Sequence, residues 1–181
     1  MSGSLMIGPD NGDLILRTGV AGAAAKAGHR LTISFESWSG SATLIDEAPT
    51  RVELSVAVNS LTVLRGDGGL TPLTAAEKAV VRSNALKTLQ AKKFRDITFV
   101  GDGVATIDVG YRISGQLTVC GRSVEHAIDV ETTQADDSWE LSARTVVRHS
   151  DVGLKPFSLM MGTLKVADEV ELEFRAQIAR N

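Results

Sequence analysis

His149, Ser150 and Asp151 stand side by side and supply the three residue types of a nucleophilic relay. Consecutive residues cannot turn their side chains toward one another in the geometry that relay needs, and no Gly-x-Ser-x-Gly elbow accompanies them. Glu169, Glu171 and Glu173 offer paired carboxylates. A spacing of two puts them together on one face of a strand, which reads as a solvated surface. Glycines 66, 68 and 69 lack the Gly-Lys-Ser/Thr continuation of a phosphate loop, and the helix that would follow starts only after Pro72. Arg65-Gly66-Asp67-Gly68-Gly69 is therefore expected as a plain exposed loop, and its first three residues are too few to carry an adhesion function.

Metal and redox chemistry find few ligands. A single cysteine, Cys120, permits neither an intrachain disulfide nor a multi-thiolate site. The three histidines, His29, His126 and His149, show no metal-ligand spacing, so no metal or cofactor is expected. His126 is the most informative of them. Alternation through Val124, Ile128 and Val130 places it on an apolar face, as a hydrogen-bonded interior histidine or a functional one.

The elements that must position these groups are mostly strands. Leu31, Ile33 and Phe35 alternate with polar neighbours, as do Val52, Leu54, Val56 and Val58, then Tyr111, Ile113, Leu117 and Val119. Val170, Leu172, Phe174, Ala176 and Ile178 alternate with Glu169, Glu171, Glu173, Arg175 and Gln177. Such strands have one wet and one dry face. Ser39-Gly40-Ser41, Asp102-Gly103, Ser114-Gly115, Cys120-Gly121 and Ala167-Asp168 read as the turns between them. Many short antiparallel strands predict a sandwich or a closed barrel, and closure has the advantage of removing exposed edges.

One segment breaks the pattern. Thr74-Ala75-Ala76-Glu77 has capping-box spacing, and Val81, Ala85 and Leu89 behind it share a helical face with Leu86 beside them. One helix of about four turns, running on to Lys92, is expected there. The alanine-rich stretch from Gly19 to Gly28 fits either a short helix or a strand and turn.

The 181 residues, 43% of them hydrophobic, suit one domain over 1–181 with a sizeable core. Nineteen basic against 22 acidic side chains give a net charge of −3, without the basic excess that nucleic acid demands. The first residues do not read as a secretory leader, and no apolar run reaches the roughly 18 residues of a membrane span. A cytoplasmic protein without a transmembrane segment is the expectation.

Aromatic residues make up only 4% of the chain, so a small barrel walled by Val, Leu, Ile and Ala leaves its lumen unfilled. A collapsed sandwich would use the same residues. Phe157, Leu159, Met160 and Met161 lie in a loop without strand alternation, a mouth over the lumen or a plug packed against it.

The stretch from Tyr111 to Val130, YRISGQLTVCGRSVEHAIDV, resembles the hairpin signature of the YceI-like proteins. Arg148-His149-Ser150-Asp151-Val152-Gly153-Leu154 and the run from Leu164 to Leu172 are similar to two later signatures of that family. Leu89 to Phe99 is similar to its helix end and strand entry. The likeness covers roughly residues 50 to 178, while residues 1–30 match poorly. It implies a mainly β fold: an antiparallel lipocalin-like closed barrel with the one α-helix in a connection. It also implies a non-catalytic protein that binds, stores or transports a long-chain isoprenoid lipid, of polyprenyl or isoprenoid-quinone type.

The dry face and the resemblance together give an expected lining of Ile33, Phe35, Leu54, Val56, Phe99, Ile113, Leu117, Ile128, Leu141, Leu172 and Phe174. Phe157, Met160 and Met161 are expected at the mouth, and His126 beside a polar head group. Two alternatives stand beside this reading. One is an enzyme using His126 or His29 as acid or base on an apolar substrate in the same cavity. The other is a filled-barrel interaction module, as a homodimer.

Overall fold

The alternating runs form strands in the structure, a computed structural model that describes residues 1–180. In chain order they are β1 (Ser2–Ile7), β2 (Gly12–Ala21), β3 (His29–Phe35), β4 (Trp38–Ile45), β5 (Ala48–Ala57) and β6 (Leu61–Gly68). After helix α1 (Ala75–Thr88) come β7 (Asp96–Ile107), β8 (Gly110–Val119), β9 (Arg122–Gln134), β10 (Ser138–Arg148), the two-residue β11 (Ser158–Leu159) and β12 (Leu164–Ala179). Eleven strands pair antiparallel in the order β1-β4-β5-β7-β8-β9-β10-β12-β2-β3-β6, and β11 pairs with the start of β12. The protein is mainly β, a strongly curled antiparallel sheet with one α-helix of 14 residues among the described residues.

Backbone bonds do not seal the curl into a ring: among the described residues no ladder joins β1 to β6, the two ends of the order. Helix α1 lies along β6 instead. Arg82 donates from Nε to the Leu61 carbonyl at 2.7 Å and from a terminal nitrogen to the Asn59 carbonyl at 2.6 Å. A helix laid on an unpaired edge shields it from other strands.

Both ends of α1 have local causes. The Glu77 N–H donates to Thr74 Oγ1 at 3.2 Å and the Thr74 N–H donates to Glu77 Oε2 at 2.7 Å, which completes the capping box. The helix stops at Thr88, short of the expected Lys92. Gln90 turns left-handed with φ 49°, its N–H donates to the Lys87 carbonyl, and the Ala91 N–H reaches back to the Leu86 carbonyl. That pair of bonds is a Schellman ending, which halts a helix even where its residue types would extend it.

The turn signals are corrected more widely. Only Cys120-Gly121 is a reversal, with φ of 49° and 74° where β8 turns into β9. Gly40 and Gly115 lie inside β4 and β8, and Asp102-Gly103 and Ala167-Asp168 fall at register shifts within β7 and β12. A Cβ on Gly115 would collide with the Val100 carbonyl, so this glycine marks a close approach of neighbouring backbones. The expected loop at Arg65-Gly66-Asp67 is also strand: these residues pair with Thr32, Leu31 and Arg30, and Leu73 fills the space above Gly66. The alanine-rich stretch resolves into the end of β2 and a 3-10 turn at Ala25–Ala27.

The solvated reading of the last strand holds for Glu169 and fails for Glu173, which is buried on the outer face of β12. Arg17 on β2 reaches it at 2.6 Å, Arg175 at 2.8 Å and Arg144 on β10 at 3.4 Å. Burial by itself would push its carboxyl up, but the three guanidinium groups, Arg17 foremost, hold it below the ordinary glutamate value. Inside the curl, Leu14, Ile33, Phe35, Trp38, Val56, Leu61 and Val63 form the packed core. Phe174 meets Trp38 edge-on, with ring centroids 5.8 Å apart and planes at 82°.

Candidate functional site

Beside that core the curl encloses a cavity of about 540 Å³, within the size range of small-molecule sites. Period-two alternation supplies most of its wall. Leu14, Leu16, Thr18 and Val20 come from β2, Leu31 and Ile33 from β3, Leu54 and Val56 from β5, and Val170 and Leu172 from β12. Phe99, Leu117 and Ile128 on β7, β8 and β9 continue the wall from Leu54, which pairs with Phe99 as Phe99 does with Leu117. Helix α1 contributes Glu77, Val80, Val81, Asn84, Ala85 and Thr88, with Leu89 at its C-cap; these recur every three or four residues and so form one face. The cavity reaches solvent at lining residues that are exposed, Glu77 and Val80 at the start of α1 and Leu159 in the β11–β12 hairpin, which the Ala24 N–H ties to the turn at 22–28 through the Thr163 carbonyl. Leu154, Phe157 and Leu164 line the cavity beside Leu159.

All three histidines reach this one cavity despite their scatter in sequence. His126 on β9 hydrogen-bonds through Nε2 to Thr145 Oγ1 on β10 at 2.6 Å. Burial pushes its pKa below the ordinary histidine value, opposed by the negative charge of Asp151, so the neutral ring is favoured. His29 donates from Nε2 to the Thr71 carbonyl at 2.6 Å, tying β3 to the segment that leads into α1. His149 donates from Nδ1 to the Asp168 carbonyl at 2.8 Å. Ser150 gives its hydroxyl and its N–H to the Asp168 carboxylate, at 2.5 and 2.9 Å. The serine therefore serves Asp168 and not its neighbour His149, and no relay forms within 149–151. Among the described residues no three His, Cys, Asp or Glu side chains gather as metal ligands.

The structure brings together Ile33, Phe35, Leu54, Val56, Phe99, Leu117, His126, Ile128, Phe157 and Leu172 from the expected set. Five others lie elsewhere. Phe174 belongs to the packed end of the curl against Trp38. Ile113 is buried over Gly101 and beside Phe99, where it fills space and lines none. Leu141 borders a polar groove with Arg144, Glu173 and Gln177. Met160 and Met161 point into solvent at the hairpin tip. Alternation reveals which face is dry but not how deep the packing reaches along it, which explains the first three.

The reading also missed one whole strand and one helix face. Leu14, Leu16, Thr18 and Val20 carry the alternation that would have marked β2, and spacings of three and four along 77–89 mark α1 as wall. Val119, Thr145, Val147 and Val152 also line it; the first three carry strand alternation, while Val152 sits in a loop with no periodic signal.

The sequence profile of the YceI-like domain matches residues 18–178. No curated protein matches the chain. Among solved structures, that of Burkholderia cenocepacia BcnA is similar, with a TM-score of 0.68, 15% sequence identity, and coverage of 93% of this chain and 96% of that one. The YCEI protein of Campylobacter jejuni superposes with a TM-score of 0.63 at 15% identity, over 82% of this chain and 84% of that one. At such identities the likeness is one of fold.

Proposed function

The chain belongs to the YceI-like domain family, whose members are generally polyisoprenoid- or lipid-binding and non-catalytic, and on that premise we propose that it binds a long-chain isoprenoid lipid within its cavity. The observation that carries the reading is the open apolar space itself. Walls from β2, β3, β5, β12 and α1 surround a volume that the protein's own side chains leave unfilled.

Binding rests on moving an apolar chain out of water, at about 0.8 kcal/mol for each buried methylene before ordering costs. A prenyl tail is long enough for that sum to hold it with few polar contacts. Selection then follows length and girth. His126 and Thr145 form a polar spot in the wall, able to hydrogen-bond a carbonyl or hydroxyl on the lipid's head. A filled-barrel module lacks support from this interior, and an enzyme would have to work through Nδ1 of His126 or His29, since Nε2 is engaged by Thr145 or by the Thr71 carbonyl.

Native mass spectrometry and solvent extraction of the purified protein test the proposal. The expected result is a co-purifying prenyl lipid, or uptake of an added prenyl quinone with one molecule per chain. Protein that emerges empty and takes up neither a prenyl quinone nor a polyprenol overturns it.

A further inference from the structure

We propose that the mouth of the cavity is a docking surface for an anionic lipid bilayer, from which the bound chain enters and to which it returns. The inference rests on reading the cavity as a lipid site. The rim is apolar where it meets solvent. Leu159 is 52% exposed, Met160 65% and Met161 fully, at the tip of the β11–β12 hairpin; Leu70 before α1 is 84% exposed and Val80 on α1 is 60%. Leu159 and Val80 also line the cavity, so the exposed patch is continuous with the interior.

The hairpin tip is held in shape. Met160 and Met161 have φ of 52° and 57°, in the left-handed region that residues with side chains seldom occupy. The Thr163 N–H and hydroxyl both donate to the Met160 carbonyl, at 3.2 and 2.8 Å, and the Thr163 carbonyl accepts from Ala24 at 2.8 Å. This bracing presents two flexible apolar side chains to whatever covers the mouth.

Charge selects the partner. The chain as a whole carries −3, yet exposed lysines flank the patch: Lys26 beside the lining residue Ala27, Lys155 between Leu154 and Phe157, and Lys165 paired with Ser158. Arg30, beside the lining residue His29, and Lys78, beside Glu77, add to them. Three carboxylates stand nearby as well, Glu77, Asp168 and Asp151; the bonds from Thr74 and Ser150 hold the first two ionised, so the five basic groups exceed the acidic ones by two. Apolar side chains bordered by lysines suit a bilayer surface, where the first enter the acyl boundary and the second meet phosphates. A second copy docked mouth to mouth would set like charges against each other. Release of a prenyl chain into water would forfeit the burial that holds it, whereas release into a bilayer would not.

Flotation with phosphatidylcholine vesicles, with and without phosphatidylglycerol, tests the proposal. The protein is expected to float with the anionic vesicles, more weakly as salt rises. Joint Met160→Asp and Met161→Asp substitution is expected to abolish flotation, and Lys26→Gln or Lys155→Gln to weaken it about fivefold each. These residues lie outside the cavity wall, so uptake of a prenyl quinone from detergent micelles should match the unaltered chain. Absence of flotation, or equal flotation of all variants, overturns the proposal. So does a concentration-dependent dimer that the methionine variant abolishes, which would give the surface to a second copy. Micelle uptake is scored separately: its failure in the unaltered chain counts against the cavity reading, while flotation alone decides docking.

Discussion

His126 and Thr145 meet at 2.6 Å across the place where β9 and β10 part. The ladder between these strands ends at Val130 and Ala143, and beyond it each strand continues with its other neighbour. A side-chain bond thus bridges a seam that backbone bonds leave open, and it does so inside the cavity wall.

Thr145→Val should lower stability by about 1–3 kcal/mol, because it strands a half-buried ring nitrogen without a partner. Adding His126→Leu should restore much of the loss, since both polar groups are then gone. Urea unfolding of the two variants measures this. Equal stability of Thr145→Val and the unaltered chain would remove the bond from any structural role.

Acid should weaken the fold through the same ring. The folded pKa of His126 lies below 6.5, so as pH falls the unfolded chain takes up the proton first. This contribution is whole above 6.5, declines as pH drops through that value, and levels once the folded ring is also protonated. Unfolding midpoints followed from about pH 8 to pH 5 should show the decline, and His126→Gln should flatten it. An unchanged slope in that variant would assign the decline to other groups.

Leu16→Trp places a larger side chain into the cavity from β2. Uptake of a prenyl quinone should fall at least about tenfold while stability changes by less than about 1.5 kcal/mol, because the added bulk enters open space. Undiminished uptake in a folded variant would locate the lipid elsewhere.

Glu173→Gln removes the shared partner of Arg17, Arg144 and Arg175. The arginines are themselves well exposed, so the expected loss, about 1–3 kcal/mol, lies between surface and buried ion pairs. Glu169→Gln, whose partner Arg148 is also exposed, should cost under about 1 kcal/mol. Thermal or urea unfolding of the pair provides the comparison, and equal losses would refute the distinction.

Much of this was legible in the chain. Period-two runs gave β3, β5, β8 and β12, and Thr74 with Glu77 gave the start of α1, because each signal is local. Gly40, Gly66 and Gly115 misled for the opposite reason: Ile7 and Val100, which crowd the first and third, and Leu31, which pairs with the second, are distant in sequence. Glu173 misled likewise, since Arg17 lies 156 positions away. The cavity wall was found where alternation was read and missed in β2, where the same alternation was present but ambiguous beside an alanine-rich neighbour. That three scattered histidines would line one cavity was invisible, as only the curl of the sheet unites β3, β9 and the end of β10.

The unjoined margins of β1 and β6 have a mechanical result. In a hoop of fixed circumference, widening would require whole rows of amide contacts to break. Here the enclosure is a bent ribbon whose margins are unfastened, with a rod laid along one of them by the grip of Arg82. Along that margin its bore is set by the side-chain contacts of α1 and not by a backbone ladder, so a change of width there need break no row of amide bonds.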